Sequence, residues 1–124
     1  MPLSPSPSSP LPLDSTSVVE SLRAAGCVFA EDEARILLST ARDAAELAAL
    51  VERRASGLPL EHVVGWAEFC GLRVAVDPNV FVPRRRTEFL AREALTRTPP
   101  DAVVVDLCCG TGAVAAVLAA RAPA

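Results

Sequence analysis

The sequence contains no lysine, since all 12 of its basic side chains are arginine, and its formal net charge is −3. We interpret the missing lysine as a compositional bias of the source. A chain with this balance has no global basic field to attract nucleic acid, although Arg84, Arg85 and Arg86 form a local positive cluster. We therefore expect any relation to nucleic acid to be indirect.

Histidine occurs once, and the four cysteines, at positions 27, 70, 108 and 109, show no C-x-x-C spacing. Zinc sites take several such ligands at short, regular spacing, so we predict no metal site. Cys108 and Cys109 are interpreted as small, slightly polar loop residues. Free buried thiols fit a reducing compartment.

Long hydrophobic runs are absent too: no window reaches the roughly 18 apolar residues that span a bilayer. The N-terminus lacks the basic region and apolar core of a secretory signal, so we expect a cytoplasmic protein without membrane contact. We also expect a monomer. Residues 1–13 alternate serine and proline without periodicity, which predicts a disordered tail. The remainder, within a 124-residue chain that is 51% hydrophobic, is able to bury a core.

Three amphipathic stretches predict a helical module over residues 14–57. The first has a capping-box pattern with Ser17 at the N-cap and Glu20 at the third helical position. The second is expected from about Glu31 to Thr40, with an acidic first turn, and the third from about Asp43. A module of this size has a small core, so we expect it to pack against another part of the protein.

Residues 58–82 change to a β-rich pattern, which predicts a hairpin linker around Gly71. Trp66 and Phe69 are expected to pack between the hairpin and the helical module. His62 is expected at the surface or at the base of the hairpin. The two predicted strands are Val63–Cys70 and Leu72–Val76.

Residues 83–124 begin with an expected helix, capped by Thr87 and running to about Thr96. Its inner face is predicted to carry Leu90, Ala94 and Leu95. An apolar run, Val103–Leu107, then predicts a buried strand, followed by a glycine turn and a further helix.

The glycine turn is the stretch that indicates a chemistry. Gly110 and Gly112 remove Cβ atoms that would keep a ligand from the backbone, and Asp106 is able to accept hydrogen bonds from a cationic or hydroxyl-bearing ligand. The segment also matches G-x-G-x-x-A, the dinucleotide fingerprint, although an acid four residues earlier would repel a diphosphate. A strand-to-helix turn without any ligand is the third interpretation. Asp-x-x-x-Gly-x-Gly resembles the first motif of class I S-adenosylmethionine methyltransferases, and the acid suits that cationic donor.

A wider resemblance covers about residues 57–118. Its motifs are Leu58–Gly65, Glu68–Leu72 and Val76–Glu88, and the Asp-x-x-x-Gly-x-Gly loop follows at matching spacing. In this order they resemble the protein-glutamine N-methyltransferases of the HemK or PrmC type. The resemblance implies an α/β fold: an N-terminal helical module, a β-hairpin linker and the start of a class I, Rossmann-like methyltransferase domain at residues 83–124.

The resemblance also implies an activity, the transfer of a methyl group from S-adenosylmethionine to a glutamine side-chain amide of peptide-chain release factors. The helical module would help to engage the factor. The implied cofactor-binding residues are Asp106, Cys108, Cys109, Gly110, Thr111 and Gly112. Those implied to border the substrate cleft are Pro83, Arg84, Thr87 and Glu88.

Departures from the family pattern shape the remaining expectations. Cys108 replaces the usual first glycine, so we expect that position to tolerate a side chain, and Arg85 and Arg86 replace a common proline and acid. No Asn-Pro-Pro-Tyr motif occurs, so the catalytic residues are unknown. We expect a truncated member without turnover, in which Val103–Leu107 is poorly paired. A nucleic-acid amino-methyltransferase and a non-catalytic release-factor-binding fragment stay open as alternatives.

Overall fold

The computed structural model describes residues 14–123, so the tail predicted at residues 1–13 lies outside the described part. The described residues form two compact units that separate between Leu58 and Pro59. Helices together with an antiparallel hairpin agree with the predicted α/β class. No helix among residues 14–123 is long and apolar enough to cross a membrane. The elements are α1 (Ser15–Ala24), α2 (Ala30–Thr40), α3 (Ala44–Ala55), α4 (Leu60–Val64), β1 (Trp66–Phe69), β2 (Leu72–Ala75), α5 (Thr87–Arg97) and α6 (Ala113–Arg121).

Helix α1 begins earlier than predicted. The N-cap is Asp14, whose carboxylate accepts the backbone N–H of Ser17 at 2.8 Å, while the Ser17 hydroxyl oxygen accepts the N–H of Asp14 at 3.1 Å. The predicted capping box from Ser17 to Glu20 is therefore wrong, because aspartate is also a strong N-cap residue and it occurs first. At the other end Gly26, at φ +89°, ends the helix as predicted.

The first unit is a three-helix cluster whose core comes from one face of each helix. Its buried residues include Val18 and Leu22 of α1, Ala34 and Leu37 of α2, and Leu47, Leu50 and Val51 of α3. One half-buried ion pair joins α3 to α2: Arg54 donates to both carboxylate oxygens of Glu33, at 2.6 and 3.1 Å. This bidentate geometry fixes the spacing of the two helices.

The second unit begins with α4, where the sequence predicted the start of a strand. Residues 63 and 64 belong to this short helix, so that part of the prediction is wrong. The local signals outweigh the β-propensity of valine: the Pro59 carbonyl accepts the N–H groups of His62 and Val63, and Gly65 at φ +82° ends the helix.

The hairpin forms around the predicted turn. Strands β1 and β2 are antiparallel, with Phe69 opposite Leu72. Cys70 and Gly71 both have positive φ, +50° and +73°, as a two-residue type I′ turn requires. The Cys70 N–H donates to a carboxylate oxygen of Glu88 in α5, and the Cys70 carbonyl accepts from Arg121 in α6. Charged side chains from both helices therefore hold the hairpin tip.

Phe69 is fully buried in the core of the second unit, where it shares a cluster with Val74, Ala91 and Val117. The predicted packing of Phe69 against the helical module is thus wrong. The reason is the strand period of two, which points Ala67 and Phe69 to the face that α5 and α6 cover. Trp66 lies on the opposite face, with the Arg73 guanidinium carbon 3.8 Å from its ring centre.

Two expectations for residues 83–124 are also corrected. Thr87 is inside α5 and does not cap it, because the chain enters the helix through the Arg84 carbonyl, which accepts the Thr87 N–H at 2.9 Å. Ala91 is the buried residue of α5, whereas Leu90 is 57% exposed.

The predicted strand Val103–Leu107 is not formed, and Val103 and Leu107 are 94% and 83% exposed. A strand needs a hydrogen-bonded neighbour, and none lies beside this segment among residues 14–123. The segment is therefore unpaired, as the sequence analysis also expected.

Candidate functional site

A cavity of about 340 Å³ in the second unit brings together most of the residues that the sequence singled out. It lies between the glycine loop, the start of α6, and the segment that leads into α5. Of the predicted cofactor-binding residues, Asp106, Cys108, Cys109, Gly110 and Thr111 line it, and of the predicted cleft residues, Pro83, Arg84 and Thr87 do so. Gly112 and Glu88 do not line it.

Asp106 is half-buried and sits against the first turn of α6. One of its carboxylate oxygens accepts the backbone N–H of Ala115 at 3.2 Å. The N-terminus of a helix carries a partial positive charge, so the carboxylate stabilises this end of α6. Because a negative group already occupies the helix start, this end of the cavity favours a cationic ligand group over a second anion.

The loop between Asp106 and α6 adopts an unusual backbone. Cys108 has φ +55°, Gly110 has φ +56° and Gly112 has φ +81°. The sequence analysis expected position 108 to tolerate a side chain, whereas the structure places it in the left-handed region that favours glycine. Gly112 lies at the N-cap of α6 and donates its N–H to the Cys109 carbonyl at 2.8 Å, so its role is to shape the loop.

Thr111 ties this loop to the hairpin. Its hydroxyl donates to the carbonyl of Ala75, the last residue of β2. The hydroxyl is therefore occupied by the protein itself, and Thr111 positions the loop beside the cavity.

Arg84 stands at the cavity wall and is exposed. Its guanidinium carbon lies 5.3 Å from the ring centre of Phe81, within cation–π range, and it has no carboxylate partner among residues 14–123. Arg85 and Arg86 are exposed beside it. The cavity is thus bordered by one carboxylate, at Asp106, and one guanidinium, at Arg84.

His62 holds the segment that supplies this wall. Its Nε2 lies 2.6 Å from the Val80 carbonyl oxygen, and because a carbonyl only accepts, the ring nitrogen is the donor. This places His62 at the base of the hairpin, one of the two positions predicted for it. The contact fixes the approach of Phe81 and Pro83 to the cavity.

Glu88 faces the hairpin tip. Besides accepting the Cys70 N–H at 3.2 Å, its carboxylate pairs with Arg92 at 3.0 Å. Both carboxylate oxygens of Glu88 are therefore bound to groups that do not line the cavity, and Glu88 fixes α5 against the hairpin.

Several cavity residues were missed by the sequence reasoning, among them Phe81, Leu90, Leu107 and Val114. For two of them, the spacing in the sequence from a predicted site residue could have indicated this position. Phe81 is two residues from Pro83 in an extended segment, and Leu90 is three residues from Thr87 in a helix, so each shares a face with a predicted residue.

No group of three or more histidine, cysteine, aspartate and glutamate side chains within residues 14–123 is arranged to hold a metal ion. The four cysteines are free thiols, with Cys27 and Cys70 buried and the other two exposed. Burial raises the pKa of the Cys27 thiol.

Comparison with known proteins points to one family. The chain is 47% identical over 81 residues to the release factor glutamine methyltransferase of Geobacter sulfurreducens, covering 63% of this chain and 28% of that protein. It is 46% identical over 96 residues to the enzyme of the same name from Mycolicibacterium smegmatis, covering 74% of this chain and 34% of the relative. The chain resembles release factor glutamine methyltransferases.

The Escherichia coli release factor glutamine methyltransferase is 42% identical over 79 residues, which are 63% of this chain and 28% of the relative. The chain thus spans about a third of the length of the curated relatives it matches. No family model matches it. The resemblance inferred from the motifs is confirmed by these relatives.

Proposed function

We propose that this chain carries the methyl-donor site of an S-adenosylmethionine-dependent methyltransferase that modifies the glutamine side-chain amide of a peptide-chain release factor. The observation that carries the proposal is the shared cavity, in which Asp106 and the glycine loop meet Pro83, Arg84 and Thr87. The names of the relatives support the protein substrate. The cytoplasm, where translation terminates, is the compartment that goes with it.

The chemistry of the lining fits such a donor. A half-buried carboxylate at Asp106 suits the ammonium and sulfonium groups, and Gly110, which lines the cavity and has no Cβ atom, lets a ligand approach the backbone. When bound, S-adenosylmethionine supplies an electrophilic methyl group. In this proposal Asp106 orients the donor, the loop backbone cradles it, and Pro83 and Thr87 form the wall on the substrate side. A Rossmann-like sheet would complete the domain, with Val103–Leu107 as one of its strands.

The dinucleotide alternative is disfavoured by the position of Asp106. In that class of site a diphosphate accepts N–H groups at the helix start. Here the carboxylate accepts the Ala115 N–H of α6, and two negative groups would compete for the same dipole. The geometry therefore supports the cationic donor.

The reacting amide needs a further set of residues. A neutral amide is a poor nucleophile, so its lone pair has to be positioned by hydrogen bonds. The Asn-Pro-Pro-Tyr motif that does this in the family does not occur in this sequence. We therefore propose that the 124-residue chain by itself binds the donor and does not transfer the methyl group.

The experiment is a calorimetric titration of S-adenosylmethionine into the chain and into Asp106→Asn. Loss of a hydrogen-bonded charge costs about 1.5–3 kcal/mol, so we expect affinity to fall roughly 10- to 100-fold. The control is Asp101→Asn, which removes an exposed carboxylate that is not part of this cavity and leaves an asparagine that tolerates its φ of +59°. Equal donor binding by the two variants, or no binding by the parent chain, contradicts the proposal.

The exposed cluster Arg84–Arg86 favours one second candidate, a nucleic-acid amino-methyltransferase. Phosphate contacts from three guanidinium groups would make binding fall steeply with salt. Titrating the chain with tRNA and with a release factor at two salt concentrations separates the candidates. Factor binding without donor binding would instead identify a non-catalytic binding fragment.

A further inference from the structure

A second cavity, of about 680 Å³, lies in the second unit beside the segment that leads into α5. It is lined by residues 79–85 and by Glu61 and His62 of α4, and we call it the arginine groove. Phe81, Pro83 and Arg84 line both this groove and the cavity of the glycine loop, so the two adjoin.

The arginines of this region lack the partners that arginines have elsewhere in the chain. Ion pairs with carboxylates are made by Arg23, Arg35, Arg42, Arg54, Arg92 and Arg97. Arg84, Arg85 and the adjacent Arg86 are exposed and make no ion pair among residues 14–123. Since Arg84 uses only the face of its guanidinium on the Phe81 ring, its N–H donors stay available.

The charge of the groove is therefore positive. Arg84 and Arg85 line it, against a single carboxylate, that of Glu61. A guanidinium binds a carboxylate through two parallel N–H donors, a geometry that the three donors of an ammonium do not match. The groove thus suits a ligand that carries carboxylates.

The same groove offers backbone groups that nothing else uses. Val82 precedes Pro83, and a residue before proline takes an extended backbone. Neither the N–H nor the carbonyl of Val82 makes a hydrogen bond among residues 14–123, whereas the Val80 carbonyl accepts from His62. Val82 is also partly exposed. Extended backbone with free N–H and C=O groups is what an added peptide strand pairs with.

These two features together favour a peptide over a nucleic acid. A nucleic acid would bind the guanidinium groups through its phosphates, but it has no alternating N–H and C=O groups to pair with Val82. The net charge of −3 on the chain also opposes a long polyanion, which would extend beyond the arginines. A short acidic peptide satisfies both the arginines and the backbone.

We propose that the arginine groove docks an extended, acidic segment of a protein partner. The carboxylates of the segment bind Arg84 and Arg85, and its backbone pairs with Val82. Because the groove adjoins the cavity of the glycine loop, the docked segment lies next to the donor site, and this consequence alone rests on the proposed function. The docking itself rests on the charges and the unpaired backbone.

The test measures the fluorescence anisotropy of a labelled peptide, Gly-Val-Glu-Val-Glu-Val-Gly, titrated with the whole chain. Its two glutamates lie on one face of an extended strand, and the matched control has glutamine at both positions. We expect the acidic peptide to bind at least about ten times more tightly than the control, and its binding to weaken as salt is raised. Equal affinities, or no binding of the acidic peptide, overturn the proposal.

Two variants of the chain locate the contact. Arg85→Gln should weaken binding of the acidic peptide by about three- to fivefold, the upper range for an exposed ion pair. Arg97→Gln removes another exposed arginine, at the far end of α5, and should leave the affinity unchanged. Far-UV circular dichroism checks that both variants keep the helicity of the parent. Equal affinities of the two variants overturn the role of Arg85.

A methylated peptide tests the backbone pairing. The N–H groups of an extended strand alternate between its two sides, so N-methylation of the central valine and of the glutamate after it should differ. One methylation should weaken binding at least about fivefold and the other should not, while equal effects contradict strand pairing.

Two further readouts separate this inference from its rivals. A heptamer of uridylate that displaces the labelled peptide at a lower concentration than the unlabelled peptide overturns the choice of a protein segment. Titration with S-adenosylmethionine is scored independently. Peptide binding without donor binding supports the groove and counts against the proposed function, whereas donor binding without peptide binding overturns the groove alone.

Discussion

The left-handed conformation of Cys108 gives a stability prediction that is independent of function. A residue with a Cβ atom at φ near +55° is strained by about 1–2 kcal/mol. Glycine relieves that strain, while its greater freedom in the unfolded chain costs about 0.4–1 kcal/mol. Because the Cys108 side chain is exposed, little packing is lost. Cys108→Gly should therefore stabilise the second unit by about 0.5–1 kcal/mol.

The assay is urea unfolding followed by tryptophan fluorescence. Trp66 is the single tryptophan of the chain and lies in β1, so its signal reports the second unit. With a slope of about 1–2 kcal/mol/M, the midpoint should rise by roughly 0.3–1 M.

The matched control is Cys109→Gly, one residue along the same loop. Cys109 is not in the left-handed region, so the glycine only adds unfolded-state freedom, and the midpoint should fall. A lower midpoint for Cys108→Gly, or equal shifts in the two variants, would refute the argument that position 108 is strained.

Three further predictions concern the contacts that hold each unit together. Glu33→Gln breaks the half-buried bidentate ion pair between α2 and α3 and should lower the free energy of unfolding, followed by far-UV circular dichroism, by about 1–2 kcal/mol. Asp32→Asn, in an exposed pair, should change it by less than about 0.5 kcal/mol. Glu88→Ala removes the carboxylate that accepts the N–H at the hairpin tip, and it should lower the free energy of unfolding, followed by Trp66 fluorescence, by about 1–2 kcal/mol. Glu93→Ala, in a more exposed pair on the same helix, should leave that free energy nearly unchanged. Equal effects of the two variants would contradict the tip contact. The hydrogen bond from the Ser17 N–H lowers the pKa of Asp14. The cap therefore stabilises α1 fully above the ordinary pKa of about 3.8, and this stabilisation is lost as the pH falls through the lowered value. Asparagine caps a helix without titrating, so Asp14→Asn should lose less helicity between pH 5 and 2 than the parent chain.

Local signals allowed the helices of the first unit to be predicted closely. Helix α3 begins after Asp43, whose side chain accepts the Glu46 N–H at 2.8 Å, as the sequence suggested. Helix α2 begins one residue before its predicted start. The start of α1 was missed because two overlapping capping patterns compete there, and the sequence does not rank them.

The second unit was harder because its contacts join residues far apart in sequence. Nothing in the local sequence shows that Glu88 and Arg121 meet at the backbone of Cys70, since the pairs are 18 and 51 residues apart. Phe69 was assigned to the wrong partner for the same reason. The motifs singled out candidate site residues, but only the fold separates those that line the cavity from those, such as Glu88, that contact the elements around it.

The contrast between the segment Val103–Leu107 and the loop after it shows which part of the site is local. An apolar run predicts a strand only when a neighbour supplies its hydrogen bonds, so this segment stays unpaired and exposed among the described residues. The loop needs no such neighbour, because its own positive φ angles, the tether from Thr111 to β2 and the bond from Ala115 to Asp106 set its shape. Among residues 14–123 the cavity is therefore present while the segment Val103–Leu107 is unpaired.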